Sequence, residues 1–297
     1  MKVGFIGLGL MGSLMSANVA KAGHTLQSFD LNGKGNRGSA EDAAHGAQVL
    51  ITMVPDGKAV RRAVLAALPG LAPGAIVIDM SSSDPATTRE LGAMLKKKGI
   101  HMLDAPVSGA KAKAADGTLA LMVGGDAKLL KKVRPVLSRM GSEIFHTGSL
   151  GSGHATKALN NYLGAAGTIA GMEALLVGEK FGLNPKTLID VINASTGKNS
   201  TTERKIPQQV FTKAFASGFQ LALMTKDVGI ARGIARVARV ETPYLRNTLK
   251  IWRDALNRLP AGADHTEMYH YLKKLKTPSR GVAAPRAASR RKRRRST

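Results

Sequence analysis

The chain has 297 residues, of which 43% are hydrophobic, and it carries a formal net charge of +24 at pH 7. Its length favours two domains, and no stretch approaches the ~20 consecutive apolar residues of a membrane span. The lack of cysteine excludes disulfides, thiolate zinc sites and a cysteine nucleophile, and we expect no metal site. Because the first predicted strand begins at residue 2, no leader peptide is expected, and we predict a cytoplasmic protein without membrane contact.

The chain begins with a pattern typical of a dinucleotide site. The apolar residues 3–6 of the first strand predict that it is buried, residues 11–21 predict a helix, and G-x-G-x-x-G at residues 7–12 connects the two. In this motif the first glycine permits a tight turn, the second admits a pyrophosphate and the third lets helix and strand pack closely, while the helix N-terminus offers free N–H groups. The alternative is a glycine-rich turn in an unrelated α/β protein. We assign to the cofactor Gly7, Gly9, Leu10, Met11 and Gly12.

A second predicted strand, residues 25–29, ends at Asp30. An acid at this position can accept hydrogen bonds from a ribose 2′-hydroxyl, and its charge disfavours the 2′-phosphate of NADP. Lys34 and Arg37 follow closely and can compensate that charge. We therefore predict NAD as the cofactor, with NADP as the alternative. Three glycines at residues 33–38 predict that the crossover after this strand is short or irregular.

Strands and helices alternate through the rest of the first half. Strands are predicted at residues 49–54, 75–79, 101–104, 119–123 and 143–145, and helices at residues 58–68, 85–98 and 127–140. This alternation predicts a doubly wound, mostly parallel Rossmann sheet with helices on both faces. Ligands bind beyond the carboxyl ends of parallel strands. We therefore also assign to the cofactor Met53, Val54, Pro55 and Ser82.

From about residue 151 the pattern predicts helices alone. One long helix is predicted at residues 155–181, and further helices at residues 185–193, 219–237, 243–256 and 266–275. We predict a Rossmann domain at 1–150, an all-α domain at 151–277 entered through the long interdomain helix 155–181, and a disordered basic tail at 278–297. The long apolar helix also favours a homodimer or homotetramer.

The end of the chain is strongly basic. Residues 280–297 contain eight Arg or Lys and no acid, and removing those eight charges from +24 leaves +16 on the remainder. Like charges repel and nothing apolar is buried, so this tail is expected to be disordered. Its functional alternatives are nucleic-acid contact and targeting. Because aromatic residues are few and not interleaved with basic ones, we expect no functional nucleic-acid binding.

Three polar segments are candidates for chemistry. Ser108 followed by Gly109 can present O–H and N–H groups to a carboxylate, although an ordinary turn is the alternative. Lys157 and Asn161 are four apart and share one helix face. A lysine in a partly dry cleft has a lowered pKa and can act as general acid/base, whereas such a pair taken alone is more often solvated. Lys226, beside an acid in an apolar helix, either forms a structural ion pair or faces the cleft.

Together these segments resemble the β-hydroxyacid dehydrogenase family over residues 1 to about 275. The resemblance rests on GFIGLGLMG at 4–12, DAPVSG at 104–109, G-x-G-x-x-x-K-x-x-N-N at 151–161 and KD at 226–227. It implies an NAD(P)-dependent oxidoreductase that interconverts a small 3-hydroxy acid and its semialdehyde, of 3-hydroxyisobutyrate type. The alternatives are a reductase of tartronate semialdehyde, succinic semialdehyde, glyoxylate or a threonate-type sugar acid, and a non-enzymatic nucleotide- or nucleic-acid-binding protein.

The resemblance also implies roles for single residues. By it, Lys157 is the general acid/base, Asn161 holds substrate and lysine, Ser108 and Gly109 bind the substrate carboxylate, Ser82 lies by the nicotinamide, and Lys226 closes the site.

The substrate loop departs from the family at Ala110, which we count among the substrate-binding residues. Ala110 stands where the family usually has a second glycine, and Lys113 stands where glycine is common. Alanine in a left-handed conformation is strained by about 1 kcal/mol or more. We therefore expect this loop to be remodelled.

Overall fold

A computed structural model describes residues 1–275 of the chain. Eight strands form one sheet: β1 (Lys2–Ile6), β2 (Thr25–Phe29), β3 (Val49–Thr52), β4 (Ile76–Asp79), β5 (His101–Asp104), β6 (Val107–Ser108), β7 (Ala120–Gly124) and β8 (Glu143–Gly148). Six helices lie between or beside them: α1 (Leu10–Lys21), α2 (Ala40–Ala44), α3 (Gly57–Ala67), α4 (Pro85–Lys96), α5 (Ala110–Asp116) and α6 (Ala127–Leu137).

After β8, the regular elements of the described chain are helices joined by loops. The helices are α7 (Ser152–Phe181), α8 (Pro185–Asn193), α9 (Leu221–Val237), α10 (Pro243–Arg258) and α11 (Met268–Lys274), with a π-helical segment at Thr201–Val210. Within residues 1–275, no helix combines the length and the apolar character that a membrane crossing needs. The predicted tail, 278–297, lies outside the described residues.

The strand order places a binding crevice at the end of β1. The sheet runs β2-β1-β3-β4-β5-β7-β6, with β8 paired to β7. Pairs from β2 through β5 are parallel, whereas β7 runs antiparallel to β5 and β6. The chain leaves β1 for β2 on one side and returns to β3 on the other, so the order reverses at β1. In such sheets ligands bind at this reversal, beyond the carboxyl ends of the strands.

Apolar side chains cover both faces of the sheet. Val49 and Ile51 pack into one buried cluster, and Leu50, between them in sequence, packs into the cluster on the other face. Buried on both faces, the central strands read as continuous apolar runs. The helical part has its own core around α7, in which the fully buried Trp252 donates from Nε1 to Ala165 O at 3.3 Å.

The predicted fold class is confirmed, with local corrections. The strand predicted at 49–54 ends at Thr52, and the helix predicted at 155–181 begins at Ser152. The crossover after β2 is irregular as expected, since its only helix is the five-residue α2. The strand β6, the helices α2 and α5 and the π-helical segment were not predicted.

Candidate active site

The three glycines after β1 have three different surroundings. Gly7 has φ +98, which favours glycine, and its N–H donates to Phe29 O at 3.0 Å. A Cβ at Gly12 would collide with Gly7 O, so α1 can approach β1 only without a side chain there. A Cβ at Gly9 would meet nothing within 4 Å. Gly9 thus borders open space at an α1 N-terminus that lacks a side-chain cap. This arrangement fits a pyrophosphate.

Asp30 lies beside this glycine loop at the end of β2. Its carboxylate accepts hydrogen bonds from Leu8 N at 2.7 Å and from Asn32 N at 2.8 Å. Burial opposes ionisation, but the hydrogen bonds from Asn32 and Leu8 outweigh it, so the pKa of Asp30 is lowered. The carboxylate therefore stays charged and also holds the backbone of the loop.

Lys226 of α9 joins the helical part to the ends of β3 and β4. Its Nζ donates to Pro55 O at 2.9 Å and to Ser82 O at 2.7 Å. Val54, which precedes Pro55, donates its N–H to Ser81 Oγ at 3.0 Å. The two loops after β3 and β4 are thus tied to each other and to α9. These contacts bring Pro55, Ser82 and Lys226 together, as the sequence predicted for residues of one cleft.

The carboxylate of Asp227 connects three elements of this cleft. It accepts a hydrogen bond from Asn161 Nδ2 at 2.5 Å and one from Ser82 Oγ at 2.7 Å. Its Oδ1 also lies 3.4 Å from Lys226 Nζ. Asp227 is 1% exposed, and burying a carboxylate costs free energy unless hydrogen-bond and ion-pair partners such as these compensate it. It therefore fixes the Asn161 amide and the Ser82 hydroxyl relative to each other.

Lys157 lies one helical turn before Asn161 on α7 and is half-buried. Within residues 1–275 its side chain forms no hydrogen bond and no ion pair. Burial lowers the pKa of Lys157, the charge of Asp227 raises it and Lys226 lowers it again, with a net decrease. A free amine with a lowered pKa at the edge of a cleft is suited to accept and return a proton.

A buried acid positions the start of α7. Gly151 and His154 donate their backbone N–H groups to the Asp104 carboxylate of β5 at 2.6 and 2.8 Å. The N-cap residue Gly151 supplies no side-chain cap, so Asp104 satisfies the free N–H groups from another element. The buried His154 ring lies between Asp104 and Asp79, with Nε2 3.5 Å from Asp79 Oδ2. These contacts fix the helix that carries Lys157 to two strand ends.

The substrate loop contains a residue in a left-handed conformation. Ala110 has φ +58, the kind of backbone that favours glycine, so this residue adopts the strained conformation that the sequence argument expected the loop to avoid, and the remodelling of the loop stays a prediction. Gly109 before it has φ +145, and Ser108 ends β6. No hydrogen bond within residues 1–275 links this loop to Lys157 or Asn161.

Both halves of the chain match known family models. Residues 2–148 match the model described as the NAD binding domain of 6-phosphogluconate dehydrogenase. Residues 151–272 match the model described as NAD-binding of NADP-dependent 3-hydroxyisobutyrate dehydrogenase.

Relatives match nearly the whole chain. An NAD-dependent L-serine dehydrogenase of Pseudomonas aeruginosa is 36% identical, covering 94% of this chain and 99% of the relative. A probable 3-hydroxyisobutyrate dehydrogenase of Mycobacterium tuberculosis is 40% identical, covering 90% and 94%. The chain belongs to the β-hydroxyacid dehydrogenase family. A solved structure of 3-hydroxyisobutyrate dehydrogenase from M. tuberculosis with L-serine is similar, with a TM-score of 0.83, 36% identity and coverage of 91% and 98%.

Membership of the β-hydroxyacid dehydrogenase family decides between the classes left open by the sequence. The chain is an enzyme, an NAD(P)-dependent oxidoreductase of hydroxy acids. The predicted family and the NAD(P) cofactor are confirmed, and the non-enzymatic alternative was wrong. Sequence reasoning missed the part played by Asp227, although an acid inside the apolar α9 segment was the available signal. It also missed Asp104 and His154, because their partners are distant in sequence.

Proposed function

We propose that this enzyme oxidises 3-hydroxyisobutyrate, or a closely similar small 3-hydroxy acid, to its semialdehyde, with Lys157 as general acid/base. The observation that carries the proposal is the half-buried amine of Lys157, without a partner in residues 1–275 and with a lowered pKa, one turn from Asn161. As the neutral amine, Nζ accepts the proton of the substrate hydroxyl during oxidation. As the ammonium, it returns that proton during reduction.

Asn161 and the substrate loop would orient the substrate. We assign the carboxylate to the hydroxyl of Ser108 and the backbone of Gly109 and Ala110. Asn161 holds the reacting oxygen beside Lys157, and Asp227 keeps the Asn161 amide in place through the 2.5 Å hydrogen bond. Holding the reacting groups in this way contributes to rate because little motion is then needed before reaction.

We propose that the cofactor is NAD, held across the end of β1. NAD would supply the hydride acceptor there, while the residues of this chain would supply binding, orientation and proton transfer. The charged Asp30 supports NAD over NADP because a 2′-phosphate would meet its negative charge. The residues proposed to hold the cofactor are Gly7, Gly9, Leu10, Met11, Gly12, Asp30, Met53, Val54, Pro55, Ser82 and Lys226.

L-serine is a second candidate substrate. It is also a 3-hydroxy acid, and it differs by an amino group beside the carboxylate. Two observations favour it: the relative named NAD-dependent L-serine dehydrogenase matches 94% of this chain, and the similar structure was solved with L-serine. The chemistry assigned to Lys157 and Asn161 is the same for both substrates.

A substrate panel tests the proposal. Formation of reduced nicotinamide would be followed by absorbance with 3-hydroxyisobutyrate, L-serine and threonate, each with NAD and with NADP. Reduction of tartronate semialdehyde, succinic semialdehyde and glyoxylate would be measured in parallel. The proposal expects the highest kcat/KM with 3-hydroxyisobutyrate and NAD. A higher kcat/KM with L-serine would favour L-serine as the substrate. If the enzyme reduced only tartronate semialdehyde, succinic semialdehyde or glyoxylate, both candidate substrates would be overturned.

We further propose a cytoplasmic homodimer or homotetramer. The support for the oligomer is the exposure of large apolar side chains on α7, with Leu163 and Val177 each 68% exposed and Phe181 82% exposed. Light scattering of the full chain measures the oligomer, and a monomer at micromolar concentration would contradict it.

A further inference from the structure

A groove between α9 and α10 concentrates positive charge beside the proposed active site. Two adjoining cavities of about 490 and 430 Å³ lie along it and share Gly229, Arg236 and Arg253. The basic residues lining the groove are Lys226, Arg232, Arg236, Arg246, Lys250 and Arg253.

Most of the charges in this groove lack counter-charges within residues 1–275; Lys226 is the exception, since its Nζ lies 3.4 Å from Asp227 Oδ1. Among the residues of 1–275 that line the two cavities, Asp84 is the one acid. Within residues 1–275, Arg236 and Arg253 form no ion pair and no side-chain hydrogen bond, and Arg232 makes a single contact of 3.4 Å to Thr242 Oγ1. Like charges held together repel, and a bound anion would remove that repulsion.

Two glycines leave room for a ligand. Gly229 and Gly233 are one turn apart on α9 and face the groove. A Cβ at Gly229 would meet nothing within 4 Å, and one at Gly233 would meet only Asp84 Oδ2 at 3.8 Å. The two helices meet on their buried sides, through Ala231, Ala235 and Leu249 among others. The groove is therefore an open space on a packed scaffold.

We propose that this groove binds a short oligophosphate, an anion with several closely spaced phosphate groups. Arg236 and Arg253 are its central contacts, because both line both cavities and a guanidinium can donate two parallel hydrogen bonds to one phosphate. The basic stripe on α9, from residue 226 to 236, is about 15 Å long. That length suits a short anion, and the part of the chain that the structure describes lines the groove with none of the aromatic side chains that stack on nucleic-acid bases.

Calorimetric titration with inorganic tripolyphosphate tests the proposal on the full chain saturated with NADH. With NADH present, the phosphate-binding glycine loop is occupied, and a separate groove still binds. We expect one tripolyphosphate per chain and an affinity that falls as salt rises. Arg236→Glu and Arg253→Glu should each weaken binding about tenfold or more. Arg134→Glu, exposed on α6, makes the same change of net charge and should leave the affinity within about twofold.

A fourth variant separates the groove from its charge. Gly229→Met fills the open space without changing charge and should also weaken binding. The proposal is overturned if NADH displaces tripolyphosphate, if Arg134→Glu weakens binding as much as Arg236→Glu, or if Gly229→Met has no effect. Binding to the basic residues 280–297 would be insensitive to Arg236→Glu, which would likewise overturn it. The proposal would also be overturned if Arg236 and Arg253 bound duplex DNA and did not bind tripolyphosphate.

Discussion

The glycine loop after β1 and the Asp227 cluster lie on two sides of the same cleft and are built by different means. The glycine loop depends on backbone geometry within one short segment, as the positive φ of Gly7 and the tight contact at Gly12 show. The Asp227 cluster depends on side chains 66 and 145 residues away in sequence, at Asn161 and Ser82. The glycine loop could therefore be predicted from a local sequence motif. The Asp227 cluster could not, because its residues become neighbours only when α7, α9 and the loop after β4 pack together.

The largest effect is expected at Lys157. Lys157→Ala removes the proposed general acid/base and should lower kcat by about 10²- to 10⁴-fold, since that is the usual contribution of such a group. NADH affinity should stay unchanged, because the variant leaves the glycine loop intact. Steady-state kinetics and fluorescence titration of NADH measure the two quantities. Lys180→Ala, exposed on the same helix, is the control, and unchanged turnover in Lys157→Ala would remove the proposed role.

Two alanine substitutions in the glycine loop test whether Gly12 and Gly9 serve different purposes, packing of α1 in one case and access of the cofactor in the other. Gly12→Ala brings a Cβ into Gly7 O and should lower the free energy of unfolding by about 1–3 kcal/mol. Gly9→Ala meets open space, so the fold should keep its stability while NADH affinity falls. Urea unfolding and NADH titration of both variants separate the effects. Equal destabilisation by the two would contradict the distinct surroundings of these glycines.

The Asp227 cluster should control the pH dependence of oxidation. Oxidation needs neutral Lys157, so kcat/KM rises as pH passes through the pKa of Lys157. Asp227 raises this pKa and Lys226 lowers it, both against the larger effect of burial. Asp227→Asn should therefore move the rise to lower pH, and Lys226→Gln should move it to higher pH. The pH profiles of the two variants measure the shifts, and movement in the same direction would show that neither charge acts through Lys157.

Asp30 should affect cofactor choice by a smaller factor. Asp30→Ala removes the proposed partner of the ribose hydroxyl and the charge that repels a 2′-phosphate. Affinity for NAD should fall by about tenfold, as for the loss of one charged hydrogen bond, while affinity for NADP should fall less or rise. Asp56→Ala, which removes the N-cap of α3, is a control for loss of a loop acid. An equal loss for both cofactors would leave Asp30 with only its structural contacts to Leu8 and Asn32.

The elements that sequence reasoning missed share a physical cause. α2 has only five residues, and α5 starts at the left-handed Ala110, so neither shows a long apolar stripe. The segment Thr201–Val210 is π-helical and contains Pro207, so a search for the 3.6-residue period passes over it. The long alternation of strands and helices was predictable because each element carries its own pattern. The division into domains at residue 150 and the roles of the site residues stay predictions.

The smallest effect is expected at Ala110, where a residue with a Cβ adopts a backbone conformation that favours glycine. Ala110 has φ +58, in the left-handed region, which costs about 1–2 kcal/mol for a residue with a Cβ. Ala110→Gly removes that strain but adds about 0.4–1 kcal/mol of chain entropy to the unfolded state. The strain is the larger quantity, so the free energy of unfolding should rise by up to about 1 kcal/mol. Urea unfolding measures the change.

Ala115→Gly is the matched control for this substitution. Ala115 is an exposed residue of the same helix α5, and its φ is not positive. Glycine there relieves no strain and should lower the free energy of unfolding by about 0.5–1 kcal/mol. Changes of opposite sign in the free energy of unfolding would show that the substrate loop imposes a left-handed conformation that is unfavourable for Ala110. The glycine loop imposes a positive φ at Gly7 without that cost, because glycine lacks a Cβ. The same sign for both would mean that Ala110 is unstrained in solution.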